Sequence, residues 1–219
     1  MGIFDINNIA INAGGAGISH LELFCTVAGL LCVFLAGRNN KYNFWIGYLY
    51  NILLFMMFWQ KHLYSAMLLQ PLSLAINILG HWRWTHPKSG EESAAKADEL
   101  KVSLLNWRER GVTAGIILAG GLIWGLVLSK LGYVWAEGTF SPDPQPYLDA
   151  FLLVLTLTAQ FLSAQKKWDC WILWILVNLV NLSLYLSAGL VVMPFVSALY
   201  LLNAVWAMVT WTKLYRRNA

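Results

Sequence analysis

The residues best equipped for chemistry in this chain lie in the stretch Trp171-Ile-Leu-Trp174-Ile-Leu-Val-Asn178. Spaced i, i+3 and i+7, the two indoles and the amide share one helical face, and their apolar surroundings place that helix in a membrane. Trp168, beside Lys166, Lys167 and Asp169, is expected at a water interface, where indole rings are at home. At about 1.5 Å of rise per residue, Asn178 then lies roughly 15 Å deeper, near the middle of a hydrocarbon layer about 30 Å thick. A primary amide is costly there without a partner. One reading has it bonding a neighbouring helix while the rings pack as core. The other is a flat aromatic wall with a polar latch, suited to a polar solute that carries a ring.

Other amides reach the same depth. Asn51 stands ten residues into its own span from Lys41, and Gln70, Ser73 and Asn77 share a face of a third. Such a row offers donors and acceptors to a ligand, or glue worth about 1 kcal/mol or less per bond between helices. Four amides at middle depth beside a tryptophan face favour a shared polar cavity. Tyr48, Asn181, Asn203 and Tyr185 are secondary candidates.

What is absent narrows the chemistry. No Asp, Glu, Lys or Arg falls in the central part of any apolar run, whereas proton relays and charge-coupled pumps use such groups. The pattern suits uncoupled passage of a solute that is neutral or carries a diffuse positive charge, and a phosphate-bearing ligand would want Arg or Lys at this depth. A retinal protein would need a lysine inside the last span, but Lys213 lies past its end. His20, His62, His81 and His86 are scattered, so no metal site is expected, and His81-Trp-Arg-Trp84 reads as an interface with a basic anchor. No cofactor, catalytic residue or nucleic-acid partner is expected.

The elements that must hold these residues are membrane helices. A chain of 219 residues that is 58% hydrophobic and 12% charged, with 12 tryptophans, is an integral membrane protein. Seven runs can span, at about 21–37, 42–60, 63–84, 112–131, 147–163, 168–187 and 190–211. All of the 15 basic residues except Lys61 and Lys130 fall on one side if the N-terminus is outside, which predicts N-out, C-in. Residues 1–18 form a polar lead-in that is loose or interfacial, with Ser19-His-Leu-Glu22 as a capping box for the first span. Residues 86–111 are a charged linker, read as a solvated cytoplasmic helix or a segment on the headgroups through Leu104, Leu105 and Trp107. Residues 132–146 make a proline-punctuated outer loop, and 213–219 a basic tail. Cys25, Cys32 and Cys170 read as small packing residues.

Sliding the chain on itself by 127 positions aligns Glu22 with Asp149, Phe44 with Trp171, Asn51 with Asn178, Trp84 with Trp211 and Thr85 with Thr212. Residues 19–85 and 147–212 are therefore read as copies of one three-helix unit, joined by the span 112–131. An odd connecting helix makes both copies enter from the same side, a 3+1+3 parallel repeat of the class found in the sugar-carrying SWEET proteins. Pro71 and Pro194 are expected to interrupt the third and seventh spans at nearly corresponding places. The copies differ at one telling position, with Gly47 opposite Trp174.

Taken as a set, the pattern Trp171-x-x-Trp174-x-x-x-Asn178, the run Leu63-Tyr-Ser-Ala-Met-Leu-Leu-Gln70 followed by Asn77 and Gly80, and Ala28-Gly-Leu-Leu-Cys-Val-Phe-Leu-Ala36 resemble the Pnu-type bacterial vitamin transporters over about residues 20 to 211. The resemblance implies a seven-helix fold, a homotrimer in the bacterial inner membrane, and uptake of nicotinamide riboside by facilitated diffusion, with a separate cytosolic kinase trapping the solute. It also implies a site lined by Trp171, Trp174 and Asn178, with Gln70 and Asn77 as polar partners. Sister members carry thiamine or riboflavin, and a sugar facilitator or a non-transporting scaffold are the other readings the residues leave open.

Overall fold

The computed structural model of the protein describes residues 2–13, 16–61, 64–93, 96–134, 145–187 and 192–218. Each of the seven apolar runs is a helix: α1 (His20–Gly37), α2 (Asn43–Gln60), α3 (Tyr64–Thr85), α4 (Trp107–Val134), α5 (Pro146–Ala164), α6 (Cys170–Ser187) and α7 (Val192–Asn218). Among the described residues, α1, α4, α5, α6 and most of α7 are long and apolar enough to cross a membrane on length and composition alone. α2 and α3 fall short of that measure because they carry the polar set, Tyr48 and Asn51 on one and Gln70, Ser73, Asn77 and His81 on the other.

Helix pairing closes a ring. α1 packs on α2, α2 on α3, α3 on α5, α5 on α6, α6 on α7 and α7 back on α1, while α4 packs on α5. The outward positions of α4, among them Ile116, Leu118, Leu122 and Ile123, are exposed apolar side chains of the kind that face lipid. α1 starts at the expected capping box, with the Ser19 hydroxyl accepting from the Glu22 N–H and the Glu22 carboxylate accepting from the Ser19 N–H at 2.8 Å.

Positions 127 apart repeatedly behave alike. α2 and α6 have corresponding ends, Asn43 with Cys170 and Gln60 with Ser187. The turns before them each contain a left-handed residue, Asn39 at φ 58° and Lys166 at φ 55°. The Asn39 N–H donates to Ala36 and the Asn40 N–H to Leu35, and likewise Lys166 donates to Ser163 and Lys167 to Leu162. At the basic end of the ring Phe44 meets Trp84 edge-on at 5.0 Å, and Trp171 meets Trp211 edge-on at 5.3 Å.

Two expectations need correction. The lead-in is not loose: β1 (Ile9–Ala13) and β2 (Ala16–Ser19) pair antiparallel, and Gln60 ties the segment to α2 by accepting from the Ile6 N–H at 3.1 Å and donating to the Phe4 carbonyl at 2.9 Å. The charged linker is helical only where α4 begins at Trp107, and the rest of it is no free segment. Its β3 (Glu92–Ser93) and β4 (Lys96–Leu100) form a hairpin, and Leu100 at its end, with Val102 and Leu105 beyond it, is buried in the same cluster as Trp84, Trp171 and Trp211. Pro194 falls in the first described turn of α7, and residues 188–191 before it lie outside the described residues. Pro71 does lie inside α3. Most of the proline-punctuated outer loop, 135–144, lies outside the described residues.

Candidate functional site

Asn178 is 8% exposed on α6, and its Nδ2 donates to the Trp174 carbonyl at 2.7 Å. Asn51, 4% exposed on α2, repeats that geometry by donating from Nδ2 to the Gly47 carbonyl at 2.8 Å. A bond to the carbonyl one turn back takes up one amide N–H and stops the carboxamide from rotating. Among the described residues each Oδ1 is left with no donor. Two pinned amides, one from each half, thus each keep an acceptor oxygen uncommitted among the described residues.

The α3 row divides in two. Ser73 spans the seam to α5, where its hydroxyl donates to Gln160 Oε1 at 3.0 Å and the Gln160 amide donates back to the Ser73 carbonyl at 3.1 Å. That is interhelical bonding. Asn77 is half-buried, lies against α2 at Gly47 and makes no hydrogen bond among the described residues. Gln70 is half-buried two turns earlier, and Asn181 on α6 is half-buried without a hydrogen bond among the described residues.

The two indoles of α6 part company. Trp171 is fully buried, edge-on to Trp211 within the aromatic core, and its Nε1 has no hydrogen-bond partner among the described residues. Trp174 is half-buried and packs on that core. The expected wall is therefore stepped: Trp171 supplies the packing beneath and Trp174 the more open ring. Trp168 is more than an interface marker, since its Nε1 donates to Thr212 Oγ1 at 2.9 Å and so ties the turn before α6 to α7.

Tyr48 leads to His81, a residue expected at an interface. Its hydroxyl is 2.8 Å from His81 Nδ1, while the His81 ring stacks on Phe44 at 5.5 Å and 13°. Extending the row Gln70, Ser73, Asn77 by one more turn reaches His81, so helical spacing did hold the signal. Lys166 was also unforeseen. Only 2% exposed, it places its ammonium 4.6 Å over the Trp84 ring and donates to the Leu100 carbonyl. Burial pushes its pKa down from 10.5 to about 8.

Chemically, these side chains offer ring faces and amide groups. No Asp, Glu, Lys or Arg lies in the central turns of any described helix. What remains is ring stacking and amide hydrogen bonding, the equipment of a carrier for a flat polar solute.

Relatives of the chain fit this picture. It matches the family described as nicotinamide mononucleotide transporter over residues 19–213. The nicotinamide riboside transporter PnuC of Escherichia coli (strain K12) is 30% identical, over 79% of this chain and 78% of the relative. The nicotinamide riboside transporter PnuC of Neisseria mucosa is 27% identical, over 92% of this chain and 75% of the relative. A crystal structure of the vitamin B3 transporter PnuC shares the fold, with a TM-score of 0.67 and 24% identity over 91% of this chain and 83% of that one. Matched from the capping box of α1 to the last turns of α7, the chain is a membrane transporter of the nicotinamide mononucleotide transporter family.

Proposed function

We propose that this protein takes up nicotinamide riboside by facilitated diffusion across the bacterial inner membrane. The observation that carries this reading is the pair of pinned amides, Asn51 and Asn178, in helices whose central turns hold no charge among the described residues. The name of the family points to a mononucleotide and those of the relatives to the riboside. Charge favours the riboside. A phosphate taken out of water calls for Arg or Lys, and the middle of the ring offers neither. A pyridinium ring is flat and cationic, so an indole face attracts it by about 2 kcal/mol when water is excluded. Trp174 supplies that face with Trp171 behind it, and Asn178, Asn51, Asn77 and Gln70 bond the ribose and carboxamide. With no Asp, Glu, Lys or Arg in the central turns of the described helices to couple an ion, net uptake is driven by phosphorylation of the riboside in the cytosol.

The same reading gives seven spans in a 3+1+3 parallel repeat of SWEET type. Supporting it are the corresponding ends of α2 and α6, the paired left-handed turns, and the way α1 on α7 mirrors α5 on α3. The basic residues at one end of the ring support an outer N-terminus and a cytoplasmic C-terminus. The family resemblance adds a homotrimer.

The test is titration of the detergent-purified protein with nicotinamide riboside, nicotinamide mononucleotide and thiamine, following tryptophan fluorescence, with uptake into vesicles alongside. Saturable quenching by the riboside alone, abolished in a Trp174→Ala, Asn178→Ala double variant, is expected. Quenching by thiamine or the mononucleotide in its place would overturn the choice of substrate.

A further inference from the structure

Gly47 on α2 has a buried backbone that lies directly against α3. A Cβ there would stand 2.9 Å from Asn77 Nδ2, 3.4 Å from Asn77 Cγ and 3.5 Å from Cys32 Sγ. The absent side chain is what lets the Asn77 carboxamide seat itself against α2, one turn before Asn51. In the other half, 127 positions on, every size is exchanged. Trp174 replaces Gly47, while Ala204 and Ala159 replace Asn77 and Cys32, at 2% and 0% exposure. A large ring on the middle helix of one half, with alanines at the other two positions, therefore corresponds to an empty position on the middle helix of the other half, with an amide beside it.

The amides differ in freedom as well. Asn51 and Asn178 are locked to their own helices by bonds to the carbonyls of residues 47 and 174. Asn77 has both its carbonyl and its NH2 uncommitted among the described residues. A free carboxamide can pair with another primary amide through two hydrogen bonds at once, one given and one received. We propose that Gly47 is a specificity-determining position, which seats Asn77 to read the carboxamide of the solute and so fixes which way round the solute enters the site. The proposal rests on the substrate reading above.

The experiment compares binding of nicotinamide riboside and of pyridine riboside, which keeps the cationic ring and the sugar but lacks the carboxamide. It uses the full chain as wild type, Gly47→Ala, Asn77→Ala and the double variant, with thermal midpoints recorded for each. The wild type should prefer nicotinamide riboside at least tenfold. Gly47→Ala and Asn77→Ala should each bring the ratio close to one, and the double variant should match Asn77→Ala alone, because the added methyl has nothing left to displace. If Gly47→Ala fails to fold, Asn77→Ala alone decides the matter, and its keeping the full preference overturns the proposal. Fold changes that multiply in the double variant, or a wild type that binds both ribosides equally, overturn it too while leaving riboside transport standing. A wild type that binds neither overturns this proposal and the substrate reading together.

Discussion

Trp84 and Trp211 lie with ring centroids 5.8 Å apart, and each indole reaches across to the opposite half of the ring. Trp84 Nε1 donates to the Ser163 carbonyl on α5 at 3.1 Å, and Trp211 Nε1 donates to the Ala36 carbonyl on α1 at 3.2 Å. Tryptophans and carbonyls alike are 127 positions apart, so one device fastens both seams between the halves. Trp84→Phe or Trp211→Phe keeps an aromatic ring but removes the bond, worth about 1 kcal/mol, and leaves a void that adds to the loss. Each variant should be destabilised by roughly 1–3 kcal/mol, with a thermal midpoint several degrees lower. An unchanged midpoint in either would show that the bond does not hold its seam.

The same seams pass through places with no room for a side chain. A Cβ on Gly37 would meet Ala207 Cβ at 2.8 Å, and one on Gly80 would meet the Phe44 ring at 2.7 Å and Ala164 Cβ at 3.0 Å. Gly37 and Ala164, like Gly80 and Ala207, are again 127 apart, so both crossings pair a glycine with an alanine. Gly80→Ala and Gly37→Ala should each cost about 1–3 kcal/mol from overpacking against atoms that cannot swing aside. The better helix propensity of alanine returns at most about 1 kcal/mol. Gly115 on α4 has nothing within 4 Å of its added Cβ, so Gly115→Ala should be neutral or stabilising. Equal responses of Gly80→Ala and Gly115→Ala in thermal unfolding would contradict the seam.

Much of this was legible in the chain. Apolar runs of sufficient length gave seven helices, Ser19 and Glu22 gave the start of the first, and the spacing of Asn51 and Asn178 gave two amides with one geometry. Periodicity tells which residues share a face, but not whether that face meets a core or a pathway, so Trp171 could not be told from Trp174. Leu100, Val102 and Leu105 were hidden for another reason. Spaced two and then three apart, these apolar residues keep no single helical or strand period, and only the aromatic cluster above them gives them somewhere to go. Lys166 looked like an interface charge because its left-handed backbone, which turns it inward over Trp84, leaves no mark in composition.

Lys166 should make stability depend on pH. Its folded pKa of about 8 lies below its ordinary 10.5 because burial disfavours the ammonium. Between those values the unfolded chain holds a proton that the folded chain has released, so stability rises with pH across that window. The gain approaches about 3 kcal/mol at its upper end. Below pH 8 both states are protonated and the cost of burying the charge is felt in full. Lys166→Met should remove the rise, seen as the difference between variant and wild-type thermal midpoints at pH 7.5 and pH 9.5. A constant difference across that range would mean the ammonium is not buried as described.

Asp169 fastens the strap that runs beneath the basic end of the ring. Only 6% exposed, it accepts from the Leu105 N–H at 2.8 Å and from Arg110 Nε at 2.9 Å. The strand-like contact between Ser103 and the turn before α6 adds the Ser103 N–H to the Lys166 carbonyl at 3.2 Å and the Trp168 N–H to the Ser103 carbonyl at 2.9 Å. Removing the carboxylate leaves a buried backbone N–H and a guanidinium without their acceptor, a loss of about 1–3 kcal/mol local to the strap. Amide hydrogen exchange across 102–105 should quicken by roughly 10- to 100-fold in Asp169→Ala while the core of α6 stays protected. Asp169→Asn retains one acceptor oxygen and should fall between, since it can keep the Leu105 bond but not the ion pair. If protection at Leu105 is the same in all three proteins, the apolar burial of Leu100, Val102 and Leu105 holds the strap unaided, and Asp169 serves only to orient Arg110.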